Sequence, residues 1–156
     1  MSVSYIGIGS NLGNRQENCF RALEILEKRG IKVQRKSSLY ETEPWGVKDQ
    51  PRFVNMVVQI ETTLKPNDLL RILKDIETEI GRQDSFHWGP RMIDLDILLF
   101  NDLVLNEEDL QIPHPYLHER EFVLRPLNEI APEVIHPVFQ ISIDKLTHNI
   151  LRVRDE

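Results

Sequence analysis

Residues 88–100 read WGPRMIDLDILLF, and their second half combines the composition of a buried β-strand with two acidic side chains, Asp94 and Asp96. The residues between and beside these acids are isoleucine and leucine. Because successive side chains of a strand point to opposite faces, the two carboxylates share one face, about 6 to 7 Å apart, and the other face is apolar. This segment therefore predicts a strand that packs against a core on one side and presents two acids on the other.

The segments around this strand complete a familiar order of elements. Upstream, the pattern predicts three strands and two helices, which are a strand at 3–8, a helix at 15–29, strands at 31–42 and 52–62, and a helix at 66–81. The order β-α-β-β-α-β is typical of the ferredoxin-like fold, an α+β class with a mostly antiparallel sheet and helices packed on it. Downstream, we expect a short helix near 121–130, interrupted by Pro126, and a final helix near 142–149.

The composition predicts one domain over residues 1–156. A chain of 156 residues with 40% hydrophobic residues is long enough for one core and too short for two ordinary ones. The net charge of −6, without a cluster of Lys or Arg, argues against binding to nucleic acid or to a membrane surface. The single cysteine, Cys19, cannot form an internal disulfide, and the opening MSVSYIGIGS lacks the features of a signal peptide, so we expect a cytoplasmic protein. No run approaches 18 apolar residues, so no membrane span is expected.

The paired aspartates need an explanation, because their charges repel each other. At this separation the repulsion is roughly 2 to 3 kcal/mol at an effective dielectric constant of 20, and burial adds a desolvation cost. A cation between them would remove this penalty. Two carboxylates, with the remaining positions left to water and phosphate oxygens, are how Mg²⁺ is usually held by enzymes that use nucleoside triphosphates. The alternative is an edge strand that shows both acids to water.

The loop before this strand and one face of strand 52–62 carry further candidates. Arg82 and Arg91 bracket the loop and suit phosphate oxygens, although Arg91 could instead pair with the aspartates and Trp88 could cover the core. In strand 52–62 we expect one face to pack and the other to stay polar. There Phe53 and Asn55 could stack on a flat heterocycle and bind its edge, but an ordinary half-buried pair explains them equally well.

Other patterns carry less information. Trp45 and Phe122 could add a second stacking wall, or could belong to the core. His114 and His118 have a spacing that can bind zinc on a helix, but the prolines beside them disfavour a helix, and a hydrogen-bonding role is expected. The glycines at 7, 9 and 13 have the wrong spacing for a dinucleotide fingerprint.

With GSNLGN at 9–14 and PHPYLHER at 113–120, the stretch WGPRMIDLDILLF closely resembles the 6-hydroxymethyl-7,8-dihydropterin pyrophosphokinase family. The resemblance covers essentially the whole chain, and it includes YETEPWG at 40–46 and FVN at 53–55. It implies transfer of the β,γ-diphosphoryl group of ATP to the hydroxymethyl oxygen of the pterin, with release of AMP and with two Mg²⁺ ions, in folate biosynthesis.

The resemblance also implies roles for individual residues. The two aspartates fall at metal-binding positions, and Arg82 and Arg91 fall at positions that contact the triphosphate; all four are counted as catalytic. The positions that contact ATP in the family are Glu77, Arg82, Trp88, Arg91, Ile97, His114 and Arg120. The positions that enclose the pterin are Thr42, Trp45, Phe53, Asn55 and Phe122. The loop departs from the family at Asp84 and His87, where basic residues are common, which leaves it less basic.

Two other functions fit parts of the pattern. Asp94, Asp96, His114 and His118 could hold a transition metal in a hydrolase, and a ferredoxin-like domain could bind a small molecule without catalysing a reaction. The pyrophosphokinase reading predicts a monomer whose partners are ATP and a reduced pterin.

Overall fold

The computed structural model describes residues 1–42, 52–81 and 92–155, with the backbone alone for Thr42 and for residues 153–155. The strands are β1 (Ser2–Ser10), β2 (Lys32–Lys36), β3 (Tyr40–Thr42), β4 (Phe53–Thr62), β5 (Asp94–Phe100), β6 (Leu105–Asn106) and β7 (Gln111–Ile112). The helices are α1 (Arg15–Lys28), α2 (Pro66–Gly81), α3 (Glu121–Ile130) and α4 (Ile143–Asp155), with a 3₁₀ turn at Leu117–Glu119. None of the helices in these ranges is long and apolar enough to cross a membrane.

The main sheet is antiparallel and has the strand order β2-β4-β1-β5, with β3 also paired to β4. This is the ferredoxin-like arrangement expected from the order of the elements. The predicted start of α1 and both predicted ends of α2 are confirmed: Asn14 caps α1 by accepting a hydrogen bond from the backbone N–H of Glu17, and α2 starts at Pro66 and ends at Gly81.

Three expectations need correction. The single strand expected at 31–42 is divided into β2 and β3. Between them the hydroxyl of Ser37, in place of a backbone carbonyl, accepts the hydrogen bond from the backbone N–H of Val57, which interrupts the ladder with β4. Pro126 does not interrupt α3, which runs from Glu121 to Ile130. The proline cannot donate the helical hydrogen bond to Phe122, but the buried Val123, Leu124 and Leu127 beside it hold the helix against the core. The last helix continues to Asp155, well beyond the predicted end.

Both faces of the sheet are covered, which also corrects the expectation of one polar face for β4. One core lies between the sheet and α1 and α2, and it contains Ile97. A second core lies between the sheet and α3 and α4, where Val57 is only 1% exposed. Helices α3 and α4 leave part of that second face open as a pocket, which Phe53 and Asn55 line.

A hydrogen-bonded cluster ties α3 to the edge of the sheet. The carboxylate of Glu129 accepts bonds from the backbone N–H of Ser38 at 3.0 Å, from its hydroxyl at 3.1 Å and from the Tyr40 hydroxyl at 2.7 Å. Burial and the bond to Glu129 raise the pKa of Tyr40 to about 12. Burial alone would raise the pKa of Glu129, but the bonds from Tyr40 and Ser38 outweigh it and lower that pKa.

We expect Glu129→Ala to lower the free energy of unfolding by about 1 to 2 kcal/mol at pH 7, since hydrogen bonds to a charged group are lost at a solvent-exposed site. The folded-state pKa of Glu129 lies below its ordinary value of 4.5, so the unfolded chain binds more protons. The stabilisation is therefore complete above that value and is lost as the pH falls through the folded-state pKa. Urea unfolding at pH 7 and below pH 4 measures both effects. Glu108→Ala, in the exposed turn between β6 and β7, is the control, and an equal loss in both variants would contradict the prediction.

Candidate active site

A pocket of about 240 Å³ opens on the face of the sheet that α3 covers in part. Its floor is formed by β1, β4 and β5, and its wall by the first residues of α3 and Arg120 before it. The residues that line it are Gly7, Ile8, Gly9, Phe53, Asn55, Met56, Val57, Asp94, Asp96, Leu98, Arg120, Phe122 and Val123. One cavity thus brings together residues that are far apart in the sequence.

Asp94 and Asp96 both line this pocket, as the alternation along β5 predicts. Asp94 is half-buried and Asp96 is exposed. Each faces a glycine on the neighbouring strand, Gly9 beside Asp94 and Gly7 beside Asp96. Strand β5 is at the edge of the main sheet, as expected if the acids simply faced water. Both acids nevertheless border a cavity that aromatic side chains also line.

Glu77 reaches the same strand from α2. Its carboxylate accepts a hydrogen bond of 2.8 Å from the backbone N–H of Leu95, the residue between the two aspartates. The ammonium group of Lys74 lies 3.3 Å from its other oxygen. Glu77 therefore fixes α2 against the strand that carries the paired acids.

His114 lies next to the other end of β5. Its backbone N–H donates to the carbonyl of Leu98 at 3.0 Å, and its ring Nδ1 accepts a bond of 3.2 Å from the backbone N–H of Tyr116. Burial lowers the pKa of His114; the charge of Asp96 opposes this shift, and that of Arg120 adds to it. The imidazole is thereby oriented near one of the two acids.

His118 belongs to a different cluster. Its ring lies edge-on to Phe139, with 4.7 Å between the centroids, and Phe139 in turn stacks on His136. Within residues 1–42, 52–81 and 92–155, no three His, Cys, Asp or Glu side chains are placed to hold a metal ion together. The described geometry therefore does not assemble the mixed site that a metal-dependent hydrolase would need.

Aromatic and cationic groups form the wall of the pocket. The guanidinium of Arg120 lies 5.5 Å from the ring centre of Phe122 and 5.1 Å from that of Tyr116. These cation–π contacts hold the arginine at the rim. Phe53 lines the same pocket from β4, so two phenylalanine rings border one cavity.

Asn55 lies deeper, at 8% exposure, where its backbone pairs with Tyr40 of β3 and with Gly9 of β1. The backbone of Thr42 pairs with Phe53. Ile97 does not face this pocket, because its side chain is buried in the core on the opposite side of the sheet. A contact between Ile97 and ATP would have to use its backbone.

Trp45, Arg82, Trp88 and Arg91 lie outside the described residues, as do Asp84 and His87. The pocket also contains residues that the sequence did not identify as functional. Gly7 and Gly9 were considered only as part of a dinucleotide fingerprint. The signal that could have identified them is that two glycines alternate within one strand, where each leaves space on the same face.

Comparisons with known proteins identify the family. The family model described as 7,8-dihydro-6-hydroxymethylpterin-pyrophosphokinase matches residues 5–132. A 2-amino-4-hydroxy-6-hydroxymethyldihydropteridine pyrophosphokinase from Aquifex aeolicus is 43% identical over 140 residues, which are 90% of this chain and 87% of that protein. The Bacillus subtilis protein of the same name is 46% identical over 134 residues, 85% of this chain and 80% of that protein.

Some relatives are much longer. A folic acid synthesis protein from Schizosaccharomyces pombe is 47% identical over 97% of this chain, which spans only 21% of that protein. A solved HPPK-DHPS structure from Plasmodium falciparum has a TM-score of 0.79 and 19% identity, and the match covers all of this chain and 45% of that one. This last likeness confirms the fold.

The chain is therefore an enzyme of the pyrophosphokinase class, an ATP-dependent diphosphotransferase. It belongs to the 7,8-dihydro-6-hydroxymethylpterin-pyrophosphokinase family of folate biosynthesis. The two alternatives, a metal-dependent hydrolase and a non-catalytic binding domain, are not favoured by these matches.

Proposed function

We propose that the pocket between β1, β4, β5 and α3 binds the pterin ring at one end and the metal-bound triphosphate of ATP at the other. The observation that supports this most directly is that Phe53, Asn55 and Phe122 line the same cavity as Asp94 and Asp96. Membership of the family indicates which reaction is catalysed. In the pocket, the hydroxymethyl oxygen of the pterin would meet the β-phosphorus of ATP. A bond forms between these two atoms, the bond from the β-phosphorus to the oxygen of the α-phosphate breaks, and AMP leaves.

The pterin end is assigned to the aromatic and amide groups. Phe53 and Phe122 border the cavity from two different elements, so a flat ring could lie between them. Asn55 presents both donors and acceptors to the edge of such a ring. Val57 and Leu98 provide an apolar floor. In this proposal Thr42 and Trp45 complete the enclosure.

The triphosphate end is assigned to the two acids and to the groups around them. Asp94 and Asp96 supply only oxygen donors and line the same pocket from one strand, so the residues fit magnesium. We propose two Mg²⁺ ions, which when bound would offset the charge of the triphosphate. Arg120 lines the pocket, His114 is close enough to Asp96 for their charges to interact, and Glu77 binds the backbone between the two acids; we propose that these three residues and the backbone of Ile97 contact ATP. Arg82, Trp88 and Arg91 are proposed to contact ATP, with the two arginines on the phosphates.

A single domain over residues 1–156, a monomeric state and a cytoplasmic location stay predictions from the sequence. In this proposal the protein mainly positions its substrates, since the pocket supplies charge and shape, and a metal-facing carboxylate could assist the proton of the hydroxymethyl group.

The assay is incubation of the protein with MgATP and 6-hydroxymethyl-7,8-dihydropterin, followed by chromatographic separation of the products. We expect AMP and the pterin diphosphate in equal amounts, no product without the pterin, and none with excess EDTA. Release of ADP and orthophosphate, or AMP production that does not depend on the pterin, would contradict the proposed reaction.

A further inference from the structure

Gly9 lies between the two proposed ends of the pocket. Strand β1 is flanked by β4 and β5, and Gly9 pairs with Asn55 on one side and with Asp94 on the other. Asn55, Gly9 and Asp94 therefore lie side by side on three neighbouring strands. Asn55 is proposed to bind the pterin and Asp94 to bind the metal, and Gly9 lies between them. Any side chain at the middle position would stand on the same face of the sheet as the side chains of Asn55 and Asp94.

A side chain at Gly9 would collide with one particular group. Its Cβ would lie 2.7 Å from Oδ1 of Asn55 and 3.7 Å from Cδ1 of Phe53. Contacts between non-bonded carbon and oxygen are normally about 3.3 Å or longer, so the oxygen would have to move by roughly 0.6 Å. Both neighbours belong to β4 and are assigned to the pterin, so the disturbance would fall on that end of the pocket.

Gly7 provides a comparison within the same strand. It also lines the pocket and pairs with Val57 and with Asp96. The three atoms nearest to a Cβ at Gly7 all belong to the side chain of Leu98, at 3.5 to 3.7 Å, which is ordinary van der Waals contact. Neither glycine has a positive φ angle, so backbone freedom does not explain them. Steric exclusion of a side chain is thus specific to Gly9.

We infer that Gly9 is a positioning residue for the pterin: the space left by its missing side chain allows the Asn55 amide to keep the orientation in which it binds the ring. This inference rests on the proposed function. Asn55 is 8% exposed, so its amide cannot move freely into solvent. A methyl group at Gly9 would therefore tilt the amide within the pocket.

The main test is Gly9→Ala, with KM for each substrate measured while the other is saturating. We expect KM for the pterin to rise about 10- to 100-fold, because small displacements of a positioning group have effects of this size. The value of kcat and the KM for ATP should change by less than about threefold. Gly7→Ala is the matched variant, and its effect on the pterin KM should be at least fivefold smaller. Equal effects of the two substitutions, or a loss confined to kcat, would overturn the inference.

A double substitution separates this inference from the proposed function. Asn55→Ala alone should raise the pterin KM, and Gly9→Ala should then add less than about twofold, because alanine at position 55 leaves room for the new methyl group. If Asn55→Ala has no effect on the pterin KM, the proposed pterin site is wrong. If it has an effect and Gly9→Ala has none, only the role of Gly9 is overturned.

The same two substitutions also test the inference if Gly9→Ala destabilises the fold. Should Gly9→Ala lower the thermal midpoint strongly, the collision with Asn55 predicts that adding Asn55→Ala restores much of the loss. A midpoint that stays low in the double variant would show that the methyl group at Gly9 meets something other than Asn55, and would overturn the inference.

Discussion

Asp96→Ala is expected to lower the rate of AMP formation by at least about a thousandfold, because charge stabilisation by a bound metal ion contributes several kcal/mol to such reactions. Asp96 is exposed at the pocket and carries none of the core packing. Its loss also relieves repulsion with Asp94, so the thermal midpoint should stay the same or rise slightly. Single-turnover assays and thermal unfolding measure the two effects.

Asp102→Ala is the control for this substitution. Asp102 is also exposed and acidic, and it lies in the turn that follows β5, outside the pocket. We expect it to retain full activity, whereas Asp96→Asn, which keeps the shape of the side chain and removes its charge, should resemble Asp96→Ala. Near-normal AMP release by either variant at position 96 would remove the metal assignment from this carboxylate.

Much of the fold could be predicted because its signals are local. The Asn14 cap of α1, the start of α2 at Pro66 and the alternation in β5 each depend on neighbouring residues. The division between β2 and β3 could not be predicted in this way, since it depends on the Ser37 hydroxyl meeting the N–H of Val57, which is twenty residues away. The covered second face of β4 likewise depends on α3, which comes much later in the chain.

The candidate site shows the same limit. The two aspartates share a face because side chains two apart on a strand point the same way, and Phe53 and Asn55 share a face by the same rule. That these two groups border one cavity with Phe122 depends on the strand order β4-β1-β5, which no short stretch of sequence encodes. The space at Gly9 depends on the exact position of Oδ1 on a neighbouring strand, and a glycine by itself gives no indication of it.

Phe122→Ala is expected to raise the KM for the pterin about 10- to 100-fold, because stacking of a heterocyclic ring on an aromatic side chain contributes about 1 to 3 kcal/mol. The KM for ATP should change by less than about threefold. Arg120, which is proposed to face the nucleotide, loses its contact with Phe122 but keeps the one with the Tyr116 ring at 5.1 Å. The arginine should therefore stay at the rim of the pocket.

The control for Phe122 is Phe20→Ala, which removes an aromatic ring that is 43% exposed on α1 and lies outside the pocket. Phe122→Tyr should retain most of the pterin affinity, since it keeps the stacking surface. Equal increases in KM for both substrates after Phe122→Ala would mean that the ring supports the pocket as a whole, because a stacking partner of the pterin affects one substrate alone. A selective increase, together with an unchanged KM in Phe20→Ala, would place the pterin against the first turn of α3.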